Sequence, residues 1–223
     1  MSLYSYCLRY DDGAAPNPYW GLCTLVICKP AIRRVATVDD WIVGLGSTHS
    51  PLGDISSSVV YAMKVTATMT LKEYDAFCQQ HLPNKIPDWS HAEFPRKVGD
   101  CIYKYSQCGE PTLRPSVHNE GNRRTDLGGD NALLSNHFYY FGDEPVRLPK
   151  ELQPIAHRTQ GHKSRANSDY VDEFVSWIKG LGLKLCSMHG EPQLKSKIMQ
   201  SQDCRGLCGG QDREEDQDDH IVC

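Results

Sequence analysis

Leu22-Cys23-Thr24-Leu25-Val26-Ile27-Cys28 is a seven-residue apolar run, halted by Lys29-Pro30. Its length and β-branched content favour a buried central strand over a helix, and proline just beyond it stops the ladder. The segments on either side read the same way. Leu3 to Tyr10 is aromatic-rich and alternating, as a half-buried strand is, and Asp11-Asp12-Gly13 then turns the chain. Trp41-Ile42-Val43-Gly44-Leu45 follows an Asp39-Asp40 turn, and Val59 to Thr68 is a further strand. Thr70-Leu71-Lys72-Glu73 is a capping box that opens a helix through Tyr74 to His81.

Val98 to Tyr103 repeats the turn-then-strand pattern, and Ala132 to Phe141 reads as the last strand. Ser168-Asp169 should cap a helix that carries Val171, Phe174, Val175 and Ile178 on one face and ends at Gly180 and Gly182. The fold class expected is therefore α+β: a strand-rich mixed sheet, or a small PUA-like barrel, with two or three peripheral helices.

At 223 residues the chain is long enough for one domain with a full core. Apolar residues make up 39% and charged residues 23%, an ordinary globular balance without a membrane-spanning run. The start lacks the basic and apolar stretches of a secretory signal, so the compartment expected is the cytoplasm, or the nucleus in a eukaryote. The net charge of −4 is unevenly spread: Asp203 to His220 holds seven acids against two arginines, leaving 21 acids and 22 bases elsewhere. A domain at 1–195 followed by a disordered acidic tail at 196–223 is expected. Ten cysteines without a signal sequence read as reduced thiols, and no metal site is expected even in the Cys204-Cys208 tail.

Three groups of residues could carry chemistry. The loop from Ser116 to Asp126 offers His118 as a general base and Asp126 as its carboxylate partner. The basic run from Arg158 to Arg165, just ahead of a predicted helix, places Arg158, Lys163 and Arg165 for a phosphate and His162 for proton transfer. Arg33, Arg34, Lys64 and Tyr140 complete the expected substrate contacts, with tyrosines supplying surfaces for a base. Cys28-Lys29, opposite Arg33-Arg34, could set a thiolate near positive charge, but Cys28 reads as a core residue. Neither a Walker pattern nor a Rossmann fingerprint is present, and the sequence identifies no cofactor.

The block Leu3-Tyr4-Ser5-Tyr6, Arg9-Tyr10-Asp11, Ala15-Pro16-Asn17-Pro18, Cys28-Lys29-Pro30 and Ile32-Arg33-Arg34 resembles the second family of nucleotide modification-associated domains. Asp40-Trp41-Ile42-Val43-Gly44, Val60-Tyr61-Ala62-Met63-Lys64-Val65 and Phe138-Tyr139-Tyr140-Phe141-Gly142 extend the likeness over about residues 3 to 192. The resemblance implies a component of a system that hypermodifies DNA bases. Such a component would bind a nucleotide or nucleic acid and work beside partner modification enzymes. A glycine would be expected before Asp40; Asp39 stands there and should tolerate the tight turn. The layout of short strands and Gly-Asp turns also resembles PUA-like domains of the EVE and ASCH kind. That likeness implies the alternative, a non-catalytic reader of modified bases.

Overall fold

The computed structural model describes residues 1–201 apart from 158 and 160. Its strands are β1 (Leu3–Cys7), β2 (Cys23–Leu25), β3 (Trp41–Leu45), β4 (Ser58–Lys64), β5 (Ala67–Thr70) and β6 (Tyr103–Lys104). They continue as β7 (Thr112–Leu113), β8 (Asn131–Ser135), β9 (Phe138–Tyr140), β10 (Val146–Arg147), β11 (His162–Lys163) and β12 (Ser187–Met188). The helices are α1 (Pro30–Val35), α2 (Leu71–His81), α3 (Phe94–Lys97), α4 (Arg123–Leu127), α5 (Val171–Gly180) and α6 (Lys195–Gln200).

The main sheet runs β11-β1-β3-β4-β9-β12, with β10 also paired to β4. Pairs β1·β3 and β9·β12 are parallel, and the other pairs are antiparallel. A second antiparallel sheet, β2-β8-β5, and the small β6-β7 ribbon complete the strands. This is the mixed-sheet form of the α+β expectation; among the described residues no sheet closes into a barrel. Among the described residues there are six α-helices, most of them a turn or two long, against the two or three foreseen.

Alternation in the central strands sorts their side chains onto two faces. Leu3, Trp41, Val43, Val59, Ala62 and Tyr139 face Phe174 and Ile178 of α5. Tyr4, Tyr6, Ile42, Tyr61, Met63 and Tyr140 face Cys23, Leu25 and Leu133 of the second sheet. The far side of that sheet presents Val26, Ala132 and Leu134 to Leu71, Tyr74 and Cys78 of α2. The result is a layered stack of helix, sheet, sheet and helix. Burial on both faces explains why β1 is buried throughout instead of half exposed.

The capping box forms as read: the Thr70 side chain accepts from Glu73 N–H while Glu73 reaches back. Asp39 does take the left-handed conformation of the turn before β3, at φ 79°. Several expectations fail. The run 22–28 yields only the three-residue β2, an edge strand of the second sheet. Residues 165–170 form a 3-10 turn, so α5 starts at Val171 with Tyr170 as its N-cap and no side-chain cap bond. The packed chain also continues past 195 through α6, where Ile198 is buried. The remainder of the expected tail lies outside the described residues. No helix among those described is long and apolar enough to cross a membrane.

One row of residues crosses the main sheet in register: His162, Tyr6, Gly44, Tyr61, Tyr140 and Met188. Gly44 is what lets the row close up. A Cβ there would lie 2.3 Å from the Tyr61 ring, and the ring resting over Gly44 brings the Tyr61 and Tyr6 hydroxyls to 2.8 Å. Gly44→Ala should therefore destabilise the fold by about 1–3 kcal/mol, the range for overpacking a fixed core. Urea unfolding checks this, and a midpoint equal to wild type would contradict it.

Candidate active site

The site forms where the chain leaves β2. Cys28 (φ 59°) and Lys29 (φ 41°) both adopt the left-handed conformation, and Pro30 then starts α1. Non-glycine residues hold that conformation only where surrounding structure enforces it, and such positions cluster at functional sites. Here the Cys28 N–H donates to Asp126 Oδ1 at 3.0 Å, and the Cys28 carbonyl accepts from Arg33 Nε at 2.7 Å. The turn leaves Cys28 half-buried while its neighbours Ile27 and Pro30 are buried.

Asp126 comes from α4, inside the loop that the sequence marked as functional. Its carboxylate is wholly buried and accepts from His118 Nδ1–H at 2.7 Å and from the Tyr103 hydroxyl at 3.2 Å. His118 Nε2 then lies 3.6 Å from Cys28 Sγ. Thiol, imidazole and carboxylate are thus strung together, the imidazole bridging the other two through its two ring nitrogens. Burial works to keep His118 neutral, but the charges of Asp126 and Cys28 and the hydrogen bonds to both prevail. Its pKa is raised well above the ordinary histidine value. A protonated imidazole beside the sulfur favours the thiolate, the reactive form.

Sulfur, nitrogen and carboxylate ligand atoms of Cys28, His118 and Asp126 all lie within 4.8 Å of one another. The order of contacts fits a proton relay better than a metal centre. Both Asp126 oxygens already accept hydrogen bonds, Oδ1 from the Cys28 N–H and Oδ2 from His118 Nδ1 and the Tyr103 hydroxyl.

Arg33 holds the frame together. Its guanidinium is fully buried and donates to the carbonyls of Gly129 and Asn131, at 2.7 and 3.1 Å, and of Asp126, besides that of Cys28. Gly129 makes room for it, since a Cβ there would come within 2.9 Å of the guanidinium carbon. In place of the expected nucleotide contact, Arg33 ties the strand-end turn to the 126–131 segment.

The other expected residues do not gather around this centre. Arg34 is exposed and donates to the Gly128 carbonyl at 2.8 Å. Lys64 pairs with exposed Asp39 at 2.6 Å. Lys163 caps the carbonyls of Pro154 and Ala156, and Arg165 is exposed in the 3-10 turn. Tyr140 is wholly buried, with its hydroxyl on Asp11. His162 sits on β11 opposite Tyr6, its ring 5.8 Å from that of Tyr4, on the sheet face that the site also adjoins. Arg158 lies outside the described residues.

The sequence raised Cys28 as a possible thiolate near positive charge but set it in the core, whereas the structure places it beside His118. The available signal was a cysteine between a strand and a Pro-started helix, the position from which a sharp turn presents a nucleophile.

The model of nucleotide modification associated domain 2 matches residues 1–200. The chain belongs to that family. Comparison with curated proteins and with solved structures finds no match.

The thiolate–imidazolium arrangement predicts a pH signature. His118 stays protonated above the usual histidine range, so Cys28 should react with iodoacetamide at about pH 6, where an ordinary thiol near pKa 8.5 is almost inert. His118→Ala should return Cys28 to the ordinary profile, and Asp126→Asn should also slow alkylation at that pH. Peptide mass mapping of the alkylated site reads both effects, and wild-type labelling that waits for alkaline pH would contradict the arrangement.

Proposed function

We propose that this chain is a thiol-dependent enzyme of nucleotide or DNA-base modification. Cys28 is the nucleophile, His118 its base and later its acid, and Asp126 the carboxylate that fixes the imidazole. The observation that carries this reading is the Asp126–His118–Cys28 series, with contacts of 2.7 and 3.6 Å around a single buried ring. That constellation generates a nucleophile from a weak acid and stabilises the cation formed in doing so. Family membership supplies the context, a nucleotide or base as the substrate class. Arg34, Lys64, Lys163 and Arg165 remain the candidates for phosphate contact, and His162 for a second proton-transfer group.

The alternative reader of modified bases needs accessible rings on which a base can stack. The tyrosines of the main row instead have their rings buried, with Tyr6 and Tyr61 bonded to each other and Tyr140 to Asp11. This favours a reaction at the thiol over stacking on the sheet.

The test is to incubate wild-type protein and Cys28→Ala with a mixture of nucleotides and DNA, and to compare the products by liquid chromatography and mass spectrometry. Wild type should yield a converted nucleotide or a covalent adduct on the peptide carrying Cys28. Cys28→Ala should lose this by about a thousandfold, the scale of removing a nucleophile from such a relay. Conversion by Cys28→Ala at the wild-type rate would overturn the proposal.

A further inference from the structure

The two-stranded β6-β7 ribbon belongs to neither sheet, yet its backbone is firmly anchored. Asp75 of α2 accepts from the Tyr105 N–H at 2.8 Å and from Arg114 at 2.7 Å. Arg114 in turn donates to the carbonyls of Cys101 and Tyr103, at 3.0 and 2.9 Å. One arm of the ribbon carries Tyr103, opposite Leu113 on the other, and the chain leaving Leu113 leads to His118. Tyr103 and His118 therefore come to Asp126 from the two arms of one ribbon.

Both donate to the same oxygen. Asp126 Oδ2 accepts from His118 Nδ1–H at 2.7 Å and from the Tyr103 hydroxyl at 3.2 Å, while Oδ1 takes the Cys28 N–H. Any buried phenol needs an acceptor. This one takes the oxygen that the imidazole also uses, and each donor draws negative charge from it, so the phenol loosens the attraction between Asp126 and the imidazolium. Burial, and then the charge of Asp126, push the Tyr103 phenol above its ordinary value, so it still carries its proton where an exposed tyrosine would lose it. Arg123, 5.8 Å from the centre of the ring, and Glu120 also face Tyr103.

We propose that Tyr103 is a positioning residue of the relay: by sharing Asp126 Oδ2 with His118 it moderates the grip of the carboxylate on the imidazole. The inference deepens the thiol-enzyme reading and rests on it for the catalytic consequence. An imidazolium that holds its proton too firmly is a poor acid, so the phenol keeps His118 able to return the proton to a departing group. Tyr103 acts through Asp126, not on the substrate.

Nitrogen NMR of ring-labelled histidine in the full chain tests this, with the His118 signal assigned by its loss in His118→Gln. Asp126 of α4, Cys28 after β2 and Asp12 after β1 all face His118, and Tyr103→Phe leaves every one of them in place. The pH at which His118 gives up one ring proton should rise in Tyr103→Phe by about 0.5 unit or more, a part of what a hydrogen bond to a charged group is worth. Placing 3-fluorotyrosine at position 103, a more acidic phenol and a stronger donor, should lower it. The fluorinated chain keeps both ring and hydroxyl, so it reads the sign even where Tyr103→Phe fails to fold. A packing role alone predicts no shift in either chain.

A His118 titration that Tyr103→Phe leaves unmoved or lowers, or that fluorination raises, would overturn the inference. Iodoacetamide labelling of Cys28 at about pH 6 separates this failure from that of the enzyme reading. A reactive Cys28 with an unmoved His118 titration removes the role of Tyr103 alone. An inert Cys28 with the titration displaced as expected removes the thiol chemistry and leaves Tyr103 as the group that sets the acidity of His118.

Discussion

A guanidinium taken wholly out of water needs acceptors for its N–H groups, and Arg33 finds them on the main chain at Cys28, Asp126, Gly129 and Asn131. These carbonyls belong to chain segments some hundred residues apart, so one side chain sets the distance between the turn after β2 and the segment from α4 to β8. The reciprocal contact, Cys28 N–H to Asp126 Oδ1, holds the turn from the other side. Left-handed Cys28 and Lys29 would relax into commoner conformations without such restraint. The thiol is presented because the backbone beneath it is fixed.

Asp126 joins that frame to the chemistry. Its side chain serves the Cys28 backbone, the His118 ring and the Tyr103 hydroxyl together, so the group that orients the imidazole also positions the Cys28 turn. The imidazole is buried and rigid, and the sulfur is the more accessible member. The polarity of the surroundings is divided as well. The cation of Lys29 lies over the Tyr6 ring, 5.1 Å from its centre, next to the thiol, whereas carboxyl groups lie beyond His118 on the Asp11-Asp12 turn.

What the sequence revealed was the part governed by local rules. The strands β1 and β3, the Thr70–Glu73 box, the apolar stripe of α5 and the tolerance of Asp39 for its turn all depend on neighbours within a few positions. His118 and Asp126 were also legible, being eight residues apart in a polar loop. Cys28 was not. It ends an apolar run, and such a cysteine reads as core unless the left-handed turn is known. That turn is enforced by contacts from 98 residues away. Arg33 misleads for the opposite reason: a basic residue beside another reads as a substrate contact, whereas the carbonyls that bury it are long-range partners. The short β2 has the same origin, since its strand ends where the turn begins.

All of this depends on His118 being a cation held between two anions. Nitrogen NMR of ring-labelled histidine measures it directly, because the two ring nitrogens report whether one or both carry a proton. Near neutral pH both nitrogens of His118 should be protonated in the wild type, and removal of the sulfur charge in Cys28→Ala should lower the pH at which one proton leaves. A His118 ring that is neutral at that pH, with a titration unchanged by Cys28→Ala, would contradict the thiolate–imidazolium pair.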